Sequence, residues 1–163
     1  MRVAIGLGGN LGDRRANLDA ARRALLGLPG TSEHRFSSLY ETKAVGPPQP
    51  DYLNAVAVLR ADPPRSPRSI VAALLAIERV LGRDRPPGRD APRSVDLDLL
   101  WMEGVVSAHE DAEVPHPRLH LRAFALVPLV EVLPEAADPA GVSYRTHLDR
   151  IDRSTVTRFV DGW

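Results

Sequence analysis

The chain has no cysteine, which removes disulfides, thiolate zinc sites, iron–sulfur clusters and a cysteine nucleophile at a stroke. Zinc could be held only by histidine and carboxylate. Lysine is nearly as scarce: Lys43 is the single one among 21 basic residues, the rest being arginine. No Gly-Lys-Ser/Thr string exists, so a Walker-type phosphate loop is excluded. No Gly-x-Ser-x-Gly elbow of a serine hydrolase occurs either. Aromatic residues make up 5%, too few to pave a sheet with stacking platforms for RNA. The 21 Asp and Glu cancel the 21 Lys and Arg, leaving no overall field for a polyanion, and nucleic acid is not an expected partner. No apolar run approaches the roughly 20 residues of a membrane span, and the opening MRVAIGLGGN is too short for a signal peptide. A cytoplasmic protein with no membrane partner is expected.

What is present is ordinary for a globular protein: 163 residues, 44% hydrophobic and 26% charged, enough for one domain spanning residues 1–163 with its own core. Val3, Ile5 and Leu7 alternate with small residues and predict a strand over 2–7, broken by a tight turn at the glycines of 8–12. Asp13 caps a helix from Arg14 to Leu26 that Pro29-Gly30 stops. Strands follow over 36–42 and 51–61. Ser66-Pro67 starts a second helix with an apolar stripe of Ile70, Leu74, Ile77 and Leu81. Residues 83–93 carry no large apolar side chain and read as an exposed loop, before a strand over 94–102. The order βαββαβ predicts an α+β ferredoxin-like sandwich, an antiparallel sheet with helices on one face and the other free for a ligand. A C-terminal extension follows, with a hairpin partner near Val105-Val106, a loop over 114–121 and a short helix over 122–132.

Chemistry concentrates at Asp96-Leu97-Asp98, where the two-residue period of a strand aims both carboxylates to one side. Two readings fit the residues: a solvated polar strand face, or a hard cation such as Mg²⁺ shared with substrate phosphates. Arg83, Arg85, Arg89 and Arg93 directly precede the pair. They are either a solvated linker or guanidinium forks for phosphate. Tyr52 and Asn54 share a strand face with Thr42 nearby, a set suited to a planar heterocycle and equally to a polar cross-strand patch. His116, between Pro115 and Pro117, and Arg122 are further candidates.

Taken together these strings resemble the 6-hydroxymethyl-7,8-dihydropterin pyrophosphokinases of folate synthesis. The matching text is Gly8-Gly9-Asn10-Leu11-Gly12, Tyr40-Glu41-Thr42, Gln49-Pro50-Asp51-Tyr52-Leu53-Asn54, Leu81-Gly82-Arg83, Pro92-Arg93-Ser94-Val95-Asp96-Leu97-Asp98-Leu99 and Val114-Pro115-His116-Pro117-Arg118. The resemblance implies transfer of the terminal pyrophosphoryl group of ATP to the pterin hydroxymethyl oxygen, with AMP leaving. It makes Asp96 and Asp98 the holders of two Mg²⁺ ions and Arg83 and Arg93 the catalytic phosphate donors, Arg83 acting mainly in the transition state. It assigns Glu78, Arg83, Arg85, Arg93, Leu99 by its backbone, His116 and Arg122 to ATP. The pterin falls to Thr42, Lys43, Ala44, Val45, Tyr52, Asn54, Asp96 and Phe124. A monomer working on small-molecule substrates is implied. The sequence departs from the family at Asp90-Ala91, where members carry Trp-Gly, at Lys43-Ala44 in place of a proline pair, and at Leu75, Asp111 and Glu113. The rival readings are a ferredoxin-like RNA-binding module and a different Mg²⁺-dependent phosphotransferase.

Overall fold

Alternation along the first strand governs the architecture. Val3, Ile5 and Leu7 belong to one hydrophobic cluster and Ala4 to a second, on the opposite side of the sheet. In this computed structural model, which describes residues 1–44, 46–82, 94–160 and 163, the elements run β1 (Arg2–Gly9), α1 (Arg14–Leu26), β2 (Thr31–Phe36), β3 (Leu39–Thr42), β4 (Tyr52–Ala61), α2 (Pro67–Val80), β5 (Asp96–Met102), a 3₁₀ turn (Leu119–Leu121), α3 (Ala123–Val132), α4 (Tyr144–Asp149) and β6 (Val156–Val160). The antiparallel sheet has the order β5-β1-β4-β3-β6, with β2 pairing the far end of the long strand β4. Its first five positions in the chain give the expected ferredoxin-like α+β sandwich.

Both helices of the βαββαβ unit begin on side-chain caps. Asp13 Oδ1 accepts from Ala16 N at 3.0 Å, and Ser66 Oγ accepts from Ser69 N at 3.2 Å with Pro67 in the first turn. Their inward stripes, Leu18, Ala21 and Leu25 on α1 and Ile70 and Leu74 on α2, pack on the odd residues of β1 and β4. The α2 stripe then continues into Glu78, a buried carboxylate at a position the helical period reserves for an apolar residue.

The sheet face expected to be free is covered in part. Leu126 and Leu129 of α3 and Tyr144 and Leu148 of α4 pack over Ala4, Val56, Val58 and Trp101, while among the described residues the end of the sheet near Gly6 and Gly8 stays open. Three local expectations change as well. Gly8 and Gly9 are strand residues of β1, and the turn starts after them. The strand expected over 36–42 is two strands, because Ser37 Oγ takes the Val56 N–H at 2.9 Å in place of a backbone carbonyl and interrupts the ladder. No strand forms at Val105-Val106: Gly104 turns the chain with φ 70 and the nearest pairing is an isolated bridge between Ser107 and Val114. The C-terminal segment, without clear pattern in the sequence, supplies α4 and the edge strand β6 on β3. Arg83, Arg85, Arg89, Arg93, Val45 and the Asp90-Ala91 departure lie outside the described residues.

Candidate active site

Gly8 stands between Asn54 of β4 and Asp96 of β5 in the sheet register, and Gly6 between Val56 and Asp98. With no side chain on this face of β1 at either glycine, the sheet carries a trough walled by carboxylates on one side and by Asn54 and Tyr52 on the other. A Cβ at Gly8 would lie 3.0 Å from Asn54 Oδ1, and one at Gly6 would lie 3.4 Å from Leu100 Cδ1. The trough is a cavity of about 620 Å³, bounded also by Thr42, Lys43, Arg122 and Phe124.

Asn54 is oriented before any ligand arrives. Its Nδ2 donates to Thr42 Oγ1 at 2.6 Å and both residues are buried, which leaves Oδ1 toward Gly8 and the trough. Phe124 is one of the few large apolar side chains left exposed, at 38%, and it lines this cavity. Arg122 lies over its ring, Cζ 5.5 Å from the centroid.

The strand pattern of β5 is the expected one. Leu97 and Leu99 are buried in the α1–α2 core while Asp96 and Asp98, half-exposed, face the trough. β5 is an edge strand, and Glu78 Oε1 accepts the outward N–H of Leu97 at 2.8 Å. Antiparallel alternation turns the N–H and C=O of Leu99 to the same outer edge. Along that edge runs a second cavity of about 350 Å³, between Val71, Leu74 and Leu75 of α2, the strand, and Glu110, Asp111 and Glu113. Asp96, Asp98, His116 and Pro117 line both cavities.

His116 is pinned to the strand by its own N–H, which donates to Leu100 O at 2.8 Å. Its Nδ1 accepts from Arg118 N at 3.1 Å, so in the neutral imidazole the proton sits on Nε2. Nε2 lies 3.5 Å from Arg122 Nη1, which is also a donor. Two donors therefore converge at the junction of the cavities, a pairing that suits an anionic oxygen and not another cation.

The residues singled out by sequence divide cleanly. Thr42, Lys43, Tyr52, Asn54, Arg122 and Phe124 line the larger cavity, Glu78 and Leu99 the smaller, and Asp96, Asp98 and His116 both. Ala44 lines neither, and its N–H donates to Asp51 Oδ1 at 3.3 Å. Gly6, Gly8 and Leu100 form the floor and were not singled out, although the parity that puts Val3, Ile5 and Leu7 in the core already assigns the even positions to the open face. Among the described residues no group of three or more His, Asp or Glu is arranged to hold a metal ion. Two paired carboxylates nonetheless fit Mg²⁺, which takes one or two protein oxygens and fills its octahedron with water and phosphate.

Comparison with known proteins gives a consistent result. A family model described as 7,8-dihydro-6-hydroxymethylpterin-pyrophosphokinase (HPPK) matches residues 4–134. A 2-amino-4-hydroxy-6-hydroxymethyldihydropteridine pyrophosphokinase from Synechocystis sp. is 38% identical over 161 residues, 98% of this chain and 81% of that one. One from Methylorubrum extorquens is 35% identical over 158 residues, covering 96% of this chain and 98% of its own length. The fold is similar to crystal structures of Plasmodium falciparum HPPK-DHPS. With pteroate the TM-score is 0.69 at 12% identity, over 96% of this chain and 47% of that one. With SDX-DHP it is 0.66 at 12%, over the same shares.

Proposed function

This chain belongs to the 7,8-dihydro-6-hydroxymethylpterin-pyrophosphokinase family, and from that premise we propose which of its residues carry the reaction. The protein is a diphosphokinase of folate biosynthesis that uses ATP and a hydroxymethyl-dihydropterin, small-molecule substrates both. Transfer forms a bond from the hydroxymethyl oxygen to the β-phosphorus and breaks the bond from that phosphorus to the α,β-bridging oxygen. AMP leaves, and the hydroxyl loses its proton.

One observation supports the assignment above others: two cavities of different character meet at Asp96 and Asp98. The trough suits a flat bicyclic ring with donors and acceptors on one edge. Asn54 Oδ1 accepts from a ring N–H while Thr42 keeps the amide from flipping, and Tyr52 and Phe124 pack the faces. Lys43 lines the rim, and the loop residues Ala44 and Val45, the latter outside the described residues, complete the pterin set of this reading. The cavity beside α2 suits a nucleotide. Val71, Leu74 and Leu75 give adenine an apolar wall, and the outward N–H and C=O of Leu99 give it a donor and an acceptor, Glu78 fixing that edge at Leu97.

The phosphates then lie across the junction. His116 Nε2–H and the Arg122 guanidinium meet their oxygens, and Arg83, Arg85 and Arg93, outside the described residues, are the further phosphate donors of this reading. Asp96 and Asp98 would hold two Mg²⁺ ions. When bound, these ions neutralise phosphate charge and lower the pKa of the attacking hydroxyl, so no separate protein base is needed. Residues 1–163 form one pyrophosphokinase domain in this reading, acting as a cytoplasmic monomer.

Product analysis tests it. With ATP, Mg²⁺ and 6-hydroxymethyl-7,8-dihydropterin, AMP should form only when pterin and metal are both present. Pterin-independent ADP would instead indicate another phosphotransferase.

A further inference from the structure

We infer that Arg14 is a positioning residue for the pterin half of the site, fixing the two ends of the 43–51 loop at the spacing the trough requires. The inference rests on the assignment of the pterin to the trough over Gly6 and Gly8.

Arg14 is the first residue of α1, directly after the Asp13 cap. Its Nη1 donates to Glu41 Oε2 at 2.6 Å and to the backbone oxygen of Asp51 at 3.0 Å. Glu41 immediately precedes Thr42 and Asp51 immediately precedes Tyr52, and Thr42 and Tyr52 are cross-strand partners that both line the trough. One nitrogen thus ties a residue of β3, one position short of the strand's end, to the carbonyl of the loop's last residue. Glu41 pairs with Leu53, a residue of the α1–α2 core, so the contact is made on the opposite side of the sheet from the trough. Arg14 therefore acts on a ligand only through the residues it holds.

Other contacts converge on the same loop. Asn10 Nδ2 donates to Gln49 Oε1 and to Pro50 O, each at 2.9 Å. From the far side, Phe159 of β6 stands under the guanidinium, Cζ 5.8 Å from the ring centroid, and Thr157 Oγ1 donates to Glu41 O at 3.4 Å. The ion pair is partly exposed, with side chains 25% and 34% accessible, and pairs of this kind add little to overall stability. The distinct contribution of Arg14 is geometric: two acceptors from different segments held by the two N–H groups of one nitrogen in fixed directions, which the shorter, freely rotating ammonium of a lysine reproduces only in part.

The test is steady-state kinetics on Arg14→Ala, Arg14→Lys, Glu41→Gln and Asn54→Ala, varying pterin and ATP in turn, with thermal melting as a fold control. Arg14→Ala should raise the pterin KM about tenfold while kcat and the ATP KM stay within about twofold, the scale of loss seen when remote groups misplace a substrate. Arg14→Lys should recover part of the loss. Glu41→Gln combined with Arg14→Ala should add less than the sum of the two. Parallel losses against both substrates, or none against either, would overturn the inference. If Asn54→Ala raises the pterin KM and Arg14→Ala does not, the trough remains the pterin site and only the role of Arg14 fails. If Asn54→Ala leaves the pterin KM unchanged, the pterin assignment itself fails, and the inference with it.

Discussion

Glu78 Oε1 accepts the backbone N–H of Leu97 at 2.8 Å, joining a buried helix carboxylate to the edge-strand residue that separates Asp96 from Asp98. An edge strand has no neighbour to fix its outer side, so this bond sets how the two carboxylates are presented. Glu78→Gln keeps an acceptor at the same place and should retain most of the fold stability. Glu78→Ala leaves a buried N–H without its acceptor and should cost about 1–3 kcal/mol. Chemical denaturation of the two variants, read beside the Mg²⁺ concentration for half-maximal activity, checks this. Equal stability losses in the two would show that the bond to Leu97 is not what matters.

Gly8→Ala places a methyl 3.0 Å from Asn54 Oδ1, tighter than nine in ten Cβ contacts, so the neighbour must give by a few tenths of an ångström. The amide must shift, and its bond to Thr42 with it. The pterin KM should rise at least about fivefold, since a displaced buried polar group costs on the order of 1–3 kcal/mol, while the ATP KM holds. Gly6→Ala meets only the flexible end of Leu100 at 3.4 Å and should be milder. A larger effect from Gly6 than from Gly8 would contradict the trough as drawn.

Much of this site was legible because period-two alternation reports facing directly. Asp96 and Asp98 against Leu97 and Leu99 needed only the strand assignment. The same rule applied to residues 4, 6 and 8 would have exposed the floor, but a cluster of glycines reads as a turn unless the strand is known to continue through it. The helices α1 and α2 were legible from caps and stripes, local signals that act before tertiary contacts. Strand β6 was not, because it is an edge strand whose pairing with β3 depends on a contact distant in sequence. Ser37 breaking a strand in two has the same origin: the Val56 N–H that its hydroxyl satisfies lies on β4. The family resemblance implied roles for Glu78, His116 and Phe124 that spacing alone left open.

The Tyr40–Glu131 contact should shape both limbs of the stability profile. Tyr40 Oη donates to Glu131 Oε2 at 2.9 Å, with Ser38 and Arg158 on the same carboxylate. Burial first, then the adjacent carboxylate, pushes the Tyr40 phenol from 10.0 up to about 12. Its folded value is raised, so its contribution is complete below about pH 10 and lost as pH climbs toward 12. For Glu131, burial works to raise the carboxyl, but the bonds from Ser38 and Tyr40 and the Arg158 charge hold it below its usual 4.5. That contribution is present above pH 4.5 and fades as acid protonates the group. Tyr40→Phe should lower Tm at neutral pH and flatten the fall in Tm between pH 10 and 12. An unchanged alkaline limb would remove Tyr40 from the account.

Asp96 and Asp98 face one junction without a third carboxylate completing a closed metal cage among the described residues. A cation held there depends on substrate phosphate for its remaining ligands, so metal and nucleotide should bind with positive coupling. Isothermal titration should show Mg²⁺ binding the free protein weakly and, once a non-hydrolysable ATP analogue is present, considerably more tightly. Asp96→Asn and Asp98→Asn keep the strand shape and each should abolish AMP formation, Asp98→Asn leaving pterin binding by the trough largely intact and Asp96→Asn, which also belongs to the pterin set, weakening it. Arg83→Ala should differ in kind, lowering kcat more than it raises the ATP KM, because a donor that engages mainly in the transition state contributes little to ground-state binding. Tight Mg²⁺ binding without nucleotide, or full activity in either asparagine variant, would reject the carboxylate pair as the metal site.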